Sequence, residues 1–129
     1  MALTVLPDAE LVATAWLRSH TDIPDIPIGT EIPADPTFPV VRVVRVGGTP
    51  AVAGWLDVAR LQIDVYHTTK QAAQNLARLV QAALDDLPGT RPAAVVTAVE
   101  PGVFYWNPDP PTGRPAYTFD VLVYLHPIP

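Results

Sequence analysis

Apolar and polar positions alternate most cleanly between Ala59 and His67. There Leu61, Ile63 and Val65 interleave with Arg60, Gln62, Asp64 and Tyr66. A period of two predicts a strand with one face on a core and the other polar. Tyr117 to Leu125 repeats the pattern. Phe119, Val121, Val123 and Leu125 share one face, with Thr118, Asp120, Leu122 and Tyr124 opposite. Val40 to Val46 is rich in β-branched residues and reads as a third strand. Its Arg42 and Arg45 fall on opposite faces, so neither face is purely apolar unless a bulge shifts the register. Ala93 to Val99 reads as a further strand. Ile28 to Ile32 predicts a short strand within the proline-spaced segment 21–39, where Ile23, Ile26 and Phe38 supply anchors. The prolines would hold that strand to an edge.

Two stretches carry helical spacing instead. In 69–87, Ala73, Leu76, Ala77, Val80, Ala83, Leu84 and Leu87 form one apolar stripe. Thr68-Thr69-Lys70-Gln71 matches a capping box, with Thr68 as the cap and Gln71 reaching back. Pro88-Gly89 stops the helix. Residues 8–19 predict a second, shorter helix, capped by Asp8, with Glu10 complementing the positive end of the dipole. Its apolar stripe reads as Leu11, Val12, Ala15 and Trp16. His20-Thr21-Asp22 and then Pro24 end it.

The order α, (β), β, β, α, β, β predicts an α+β fold. Its economical form is a mainly antiparallel sheet of four or five strands with two helices packed on one face. The sheet's other face, with its Arg, Gln, Asp and Tyr residues, suits water, a polar interface or the wall of a channel. Two connections look long. One is 47–57, which opens with the turn Gly47-Gly48-Thr49-Pro50 and carries Trp55 and Leu56. The other is the sixteen residues from Glu100 to Pro115, with three turn signals and Phe104, Tyr105 and Trp106.

Length and composition leave this picture intact and narrow the chemistry. The 129 residues fit one domain, 1–129. Charged residues make up only 16%, against about 25% in an average domain, which is compatible with burying surface against partners. Net charge is −5, and Lys70 and seven arginines are the only cations. An acidic chain is a poor candidate for gripping phosphate backbones, though it would let nucleic acid pass without sticking. Sixteen prolines punctuate the regular elements. The chain has no cysteine, which excludes disulfides, thiolate metal sites and cysteine nucleophiles. The stretch Met1 to Asp8 lacks a basic region and a long apolar run, so no signal peptide is expected there. No apolar run approaches the length of a membrane span.

The candidates for catalysis do not assemble. His20, His67 and His126 have no second histidine four residues on. Asp64, the nearest carboxylate before His67, would lie on the opposite strand face. The carboxylate pairs Asp85-Asp86 and Asp22…Asp25 lack the placement of an acid–base pair; neighbours on a helix point apart. The same reasoning separates Ser19, the single serine, from His20. None of the phosphate-binding or nucleophile-elbow glycine motifs occurs. No metal site, cofactor or enzymatic activity is expected.

The aromatic residues of the two long connections admit two readings. Trp55, Phe104, Tyr105 and Trp106 either fold back as small clusters under their loops or, with Leu56, anchor contacts with another subunit or partner.

Several stretches taken together resemble the tail terminator, or tail completion, proteins of long-tailed bacteriophages, in particular those infecting actinobacteria. They are Ala15-Trp16-Leu17-Arg18 closing the first helix, Phe38-Pro39-Val40-Val41-Arg42-Val43-Val44-Arg45-Val46-Gly47-Gly48, and Trp55-Leu56-Asp57-Val58-Ala59-Arg60-Leu61-Gln62-Ile63-Asp64-Val65-Tyr66. Gln71-Ala72-Ala73, Tyr105-Trp106-Asn107-Pro108-Asp109, Tyr117-Thr118-Phe119-Asp120-Val121 and His126-Pro127 complete the set. The resemblance implies an α+β subunit of a homo-oligomeric ring, usually a hexamer. Such a ring sits at the tail–neck junction of the virion after assembly in the host cytoplasm. It caps the tail tube, ends tube polymerisation and offers a docking surface to the head–tail connector protein. Its partners are other copies of itself, the tail tube protein and the connector. DNA only passes through its lumen, and no cofactor, catalysis or membrane is implied. A head–tail joining or head-closure ring is the neighbouring reading. A small ligand-binding α+β domain is a third, requiring a pocket near Asp64, Tyr66 or His67.

Overall fold

The computed structural model describes residues 3–52 and 54–129. The first two residues of the N-terminal stretch, and residue 53 within the 47–57 connection, lie outside it. Eight elements follow in chain order: α1 (Ala9–Ser19), β1 (Ile28–Gly29), β2 (Val40–Val52), β3 (Leu56–Tyr66), α2 (Lys70–Asp85), β4 (Gly89–Thr90), β5 (Val95–Trp106) and β6 (Ala116–His126). The fold class is α+β as expected, but the sheet has six strands, in the order β1-β2-β3-β6-β5-β4. It is also mixed, because β1 runs parallel to β2. β1 falls within the short strand expected at 28–32, whereas β4, a two-residue pairing at the opposite edge, is too short to leave a periodic signal.

Strand period explains which face is buried. Val41 and Val43 of β2 lie level with Val65 and Ile63 of β3. Those in turn face Tyr117 and Phe119 of β6. Leu61, Val121, Ala59 and Val123 continue the same face, and all these side chains are buried in one core with both helices. From α2 the core takes Ala73, Leu76, Ala77, Val80, Ala83 and Leu84, the stripe read from the sequence.

Three local expectations are corrected. The α2 cap is Thr69, whose side chain accepts from the Ala72 amide at 3.1 Å. Gln71 does not reach back; it donates to Asn75 one turn on. Thr69 caps without the box, because Ala72 stands three residues on; α2 starts at Lys70, which makes the second threonine the cap. In α1, Asp8 caps as expected, accepting from the Leu11 amide. The buried stripe is rotated, however, to Ala9, Val12, Ala13, Thr14 and Leu17, while Leu11 is 52% exposed. A short helix with apolar residues on two sides leaves the buried side to its neighbours, and here α2 and β2 decide it.

The third correction concerns the two long connections: 47–57 is mostly strand, and 100–115 is strand as far as Trp106, with the expected loop and turn beyond it. β2 runs through Gly47 and Gly48 with register shifts between Arg45 and Gly47 and between Pro50 and Val52. Gly48 has φ +99, and an added Cβ would strike the Val58 carbonyl oxygen. β5 extends to Trp106, with register shifts between Val96 and Ala98 and between Pro101 and Phe104. Turn residues read as a loop are therefore bulges in long strands. Pro50 and Pro101 lie on strands whose outer edges are paired only over two residues, by β1 and β4 respectively. A proline and two bulges on each such strand discourage edge-to-edge aggregation.

The rotated stripe is testable by urea unfolding. Leu17→Ala, at a fully buried side chain of the observed stripe, should lose about 2–5 kcal/mol. Leu11→Ala should stay within about 0.5 kcal/mol of the parent, as for an exposed position.

Candidate functional site

The helix-free face of the sheet is polar but not uniformly wet. Asp64 projects from β3 onto it and is 2% exposed. Arg42, the partner of Asp64 in the β2–β3 register, donates to its carboxylate from Nη2 at 2.6 Å and Nε at 3.0 Å. Thr118 of β6 donates to the other oxygen at 2.7 Å, and the Gln62 amide adds a longer contact. Asn107 donates to the Thr118 hydroxyl in turn. Burial opposes the Arg42 charge, but its hydrogen bond to Asp64 and the attraction of that carboxylate outweigh it, and the guanidinium pKa is raised. Among the described residues no buried side-chain nitrogen or oxygen lacks a partner.

The cover over this end of the face comes from two loops. Phe38 leans on Tyr66 with centroids 6.5 Å apart. Arg114 stacks over the Phe38 ring at 4.0 Å. Between the loops lies an open cleft of about 410 Å³, bordered by Phe38, Tyr66, Asp109 and Arg114. Burial raises the Tyr66 phenol pKa, Asp64 adds to the rise and Arg42 subtracts from it. Asp64 itself is fully engaged in ion pairing and hydrogen bonding, and Asp109 accepts from Thr112. His67 uses Nδ1 to accept from the Thr68 amide.

A second ion pair lies on the helix side. Asp57 has the same strand parity as Ala59, Leu61 and Ile63, and is 1% exposed. Arg45 grips it with both terminal nitrogens, at 2.5 and 2.9 Å. The Arg45 amide, on the unpaired edge of β2, donates to the Glu10 carboxylate at 2.7 Å. Glu10 thus ties α1 to the sheet rather than merely balancing a dipole. A charge at a core-facing parity is the sequence signal for this pair, and Asp57 carries it.

The aromatic residues divide between the two readings. Phe104 folds back, stacked on Phe119 at 5.8 Å and tilted on Tyr117 at 5.4 Å. Trp106 packs on Tyr117 at 5.3 Å under the Lys70 ammonium, yet keeps 39% of its surface exposed. Tyr105, on the opposite strand face, is 43% exposed. Trp55 stacks on His126 at 4.7 Å and is 45% exposed. Leu56 is half-buried. Trp55 thus sits at one end of the strands and Tyr105 and Trp106 at the other. The span of β6 from Tyr117 to Leu125 separates them by about 30 Å.

No described helix is long and apolar enough to cross a membrane. Among the described residues no three His, Asp or Glu side chains gather into a metal-holding group. The described residues expose two aromatic strand ends and a polar sheet face.

The family model of tail completion protein gp17 matches residues 9–110. The chain belongs to this family of phage tail completion proteins. The match runs from the start of α1 through all of β5. No curated protein matches the chain. Family membership makes this a structural protein of the phage virion that acts with other tail components.

Two outcomes check the polar face of this tail completion protein. Asp64→Ala should destabilise it by about 3 kcal/mol in urea unfolding, the low end for a broken buried pair, because Arg42 is half-exposed and rehydrates. The unfolded chain releases the Tyr66 proton near 10.0, and the folded chain does so later. Stability from neutral Tyr66 is complete below that pH and is lost as pH rises through the higher folded pKa. A spectrophotometric titration should lose one late-ionising tyrosine in Tyr66→Phe.

Proposed function

We propose that the protein is a non-enzymatic subunit of a homo-oligomeric ring, of hexameric size, that caps the tail tube at its neck end. The ring ends tube polymerisation and presents a docking surface to the head–tail connector protein. The observation that carries this reading is the family match across four-fifths of the chain (residues 9–110). Two features support it. The exposed aromatics form separate clusters at opposite ends of the strands, which suits a subunit meeting different neighbours on two sides. The exposed acidic residues Asp22, Asp25, Glu31 and Asp35 cluster in one segment, and the net charge is −5. A wall of that sign lets DNA move through a lumen without counter-ion-driven adhesion.

Trp55 and the Tyr105–Trp106 pair are the candidate contact residues, with Leu56 at the flank of the first. Phe104 contributes by shaping the strand end from below. Tail tubes assembled with the purified protein should show a capped end by negative-stain microscopy and should stop lengthening. Multi-angle light scattering should give a ring-sized mass. A monomer that neither binds tube ends nor limits their length would refute the proposal. Trp55→Ala, and separately Tyr105→Ala with Trp106→Ala, should each weaken one contact by about tenfold or more while the fold melts normally.

A further inference from the structure

The rotated stripe of α1 leaves an apolar groove on the surface. Leu11, Ala15 and Trp16 form one wall, and Arg91, Pro92 and Ala93 the other, around about 260 Å³. The groove is built rather than incidental. Trp16 donates its indole N–H to the Ala83 carbonyl at 2.7 Å, and the Arg91 guanidinium lies over its ring at 4.1 Å. Arg91 is itself fixed by the carbonyls of Asp86, Leu87 and Pro88 at the end of α2. The aromatic floor is therefore held in place before anything binds.

The same chain carries a segment of matching chemistry. Leu3 and Val5 are 93% and 79% exposed and alternate along an extended stretch that enters α1. The stretch from Leu3 to Leu6 has no charge. It reaches about 13 Å at about 3.3 Å per residue, and α1 from Leu11 to Ser19 is about 12 Å long. The arm does not serve its own groove. Asp8 is extended, with φ −80 and ψ 105, and Leu6 and Pro7 are half-buried at the root. Leu3 and Val5 are exposed and are not among the residues that line the groove of their own chain.

We infer that the N-terminal arm of one subunit docks its Leu3 and Val5 side chains into the α1 groove of a neighbouring copy. Exchanged reciprocally, arm and groove would give a two-fold pair; passed head-to-tail from copy to copy with a rotation that closes, they give a ring, and the ring reading selects the second arrangement. The inference rests on the ring reading and assigns that ring one of its subunit contacts.

The absence of cysteine in the parent makes a clean test. Full-length Val5→Cys and Ala15→Cys chains are mixed and oxidised mildly. A disulfide-linked heterodimer should form well above the dimer yield of either chain alone. In parallel, Leu3→Asp with Val5→Asp should raise the subunit dissociation constant by about tenfold or more, since two apolar side chains lose their burial. The circular dichroism spectrum of the dissociated subunit should not change, because both side chains are exposed in the single chain. If the wild type is oligomeric but the double variant assembles as tightly, or if the heterodimer does not exceed its controls, the arm inference is overturned and the ring reading stands. A wild type that stays monomeric overturns both.

Discussion

One constraint organises the molecule: a six-stranded sheet has helices for only one of its faces. Two helices bury the side built from Val41, Val43, Leu61, Ile63, Val65, Phe119, Val121 and Val123. With both helices on one side, the other side must solve its own burial with loops and paired polar groups. The proline-spaced segment and the β5–β6 loop supply that cover through Phe38 and Arg114. The rest of the polar face is left facing outward, which is where a virion subunit meets its surroundings.

The charges inside this arrangement follow from the same constraint. Asp64 lies where the uncovered face becomes dry, and three neighbouring side chains, Arg42, Gln62 and Thr118, converge on its oxygens. Asp57 lies where the covered face meets its edge, and Arg45 closes it off. A buried ion pair contributes little net stability, whereas breaking one is expensive. Each pair also joins adjacent strands, and the Arg45 site adds α1 through Glu10. Both therefore act mainly on register and helix placement.

A tail completion protein works through its surfaces, and these are set by strand and helix placement. The exposed aromatics stand at opposite strand ends because β2, β3, β5 and β6 are long and in register. The free strand edges are disrupted by Pro50, Pro101 and their bulges. Edge-to-edge sheet extension is thereby discouraged, which leaves side-chain surfaces for contacts with other tail components. The groove on α1 is one exposed surface of the chain, with Trp16 held in place along it.

The class of fold, the two central strands, both helices and the α2 stripe were legible in the sequence. Strand period and a long amphipathic helix depend on local spacing, and local spacing is written in the chain. The family resemblance was legible too, since it rests on an order of short patterns. The strand character of 47–52 and 100–106 was not. Glycine and proline mark turns and bulges alike, and only a partner strand decides which. The fate of the aromatics followed the same division. Phe104 and Tyr105 are neighbours in sequence, but β6 assigned one to the core and the other to the surface. The side that α1 buries was undecided for a related reason: apolar residues lie on two of its sides, and the positions of α2 and β2 chose Leu17 over Leu11. The sequence by itself determined the periodic elements; the tertiary structure alone decided which of their apolar residues remain outside, because burial is a property of neighbours and not of residues.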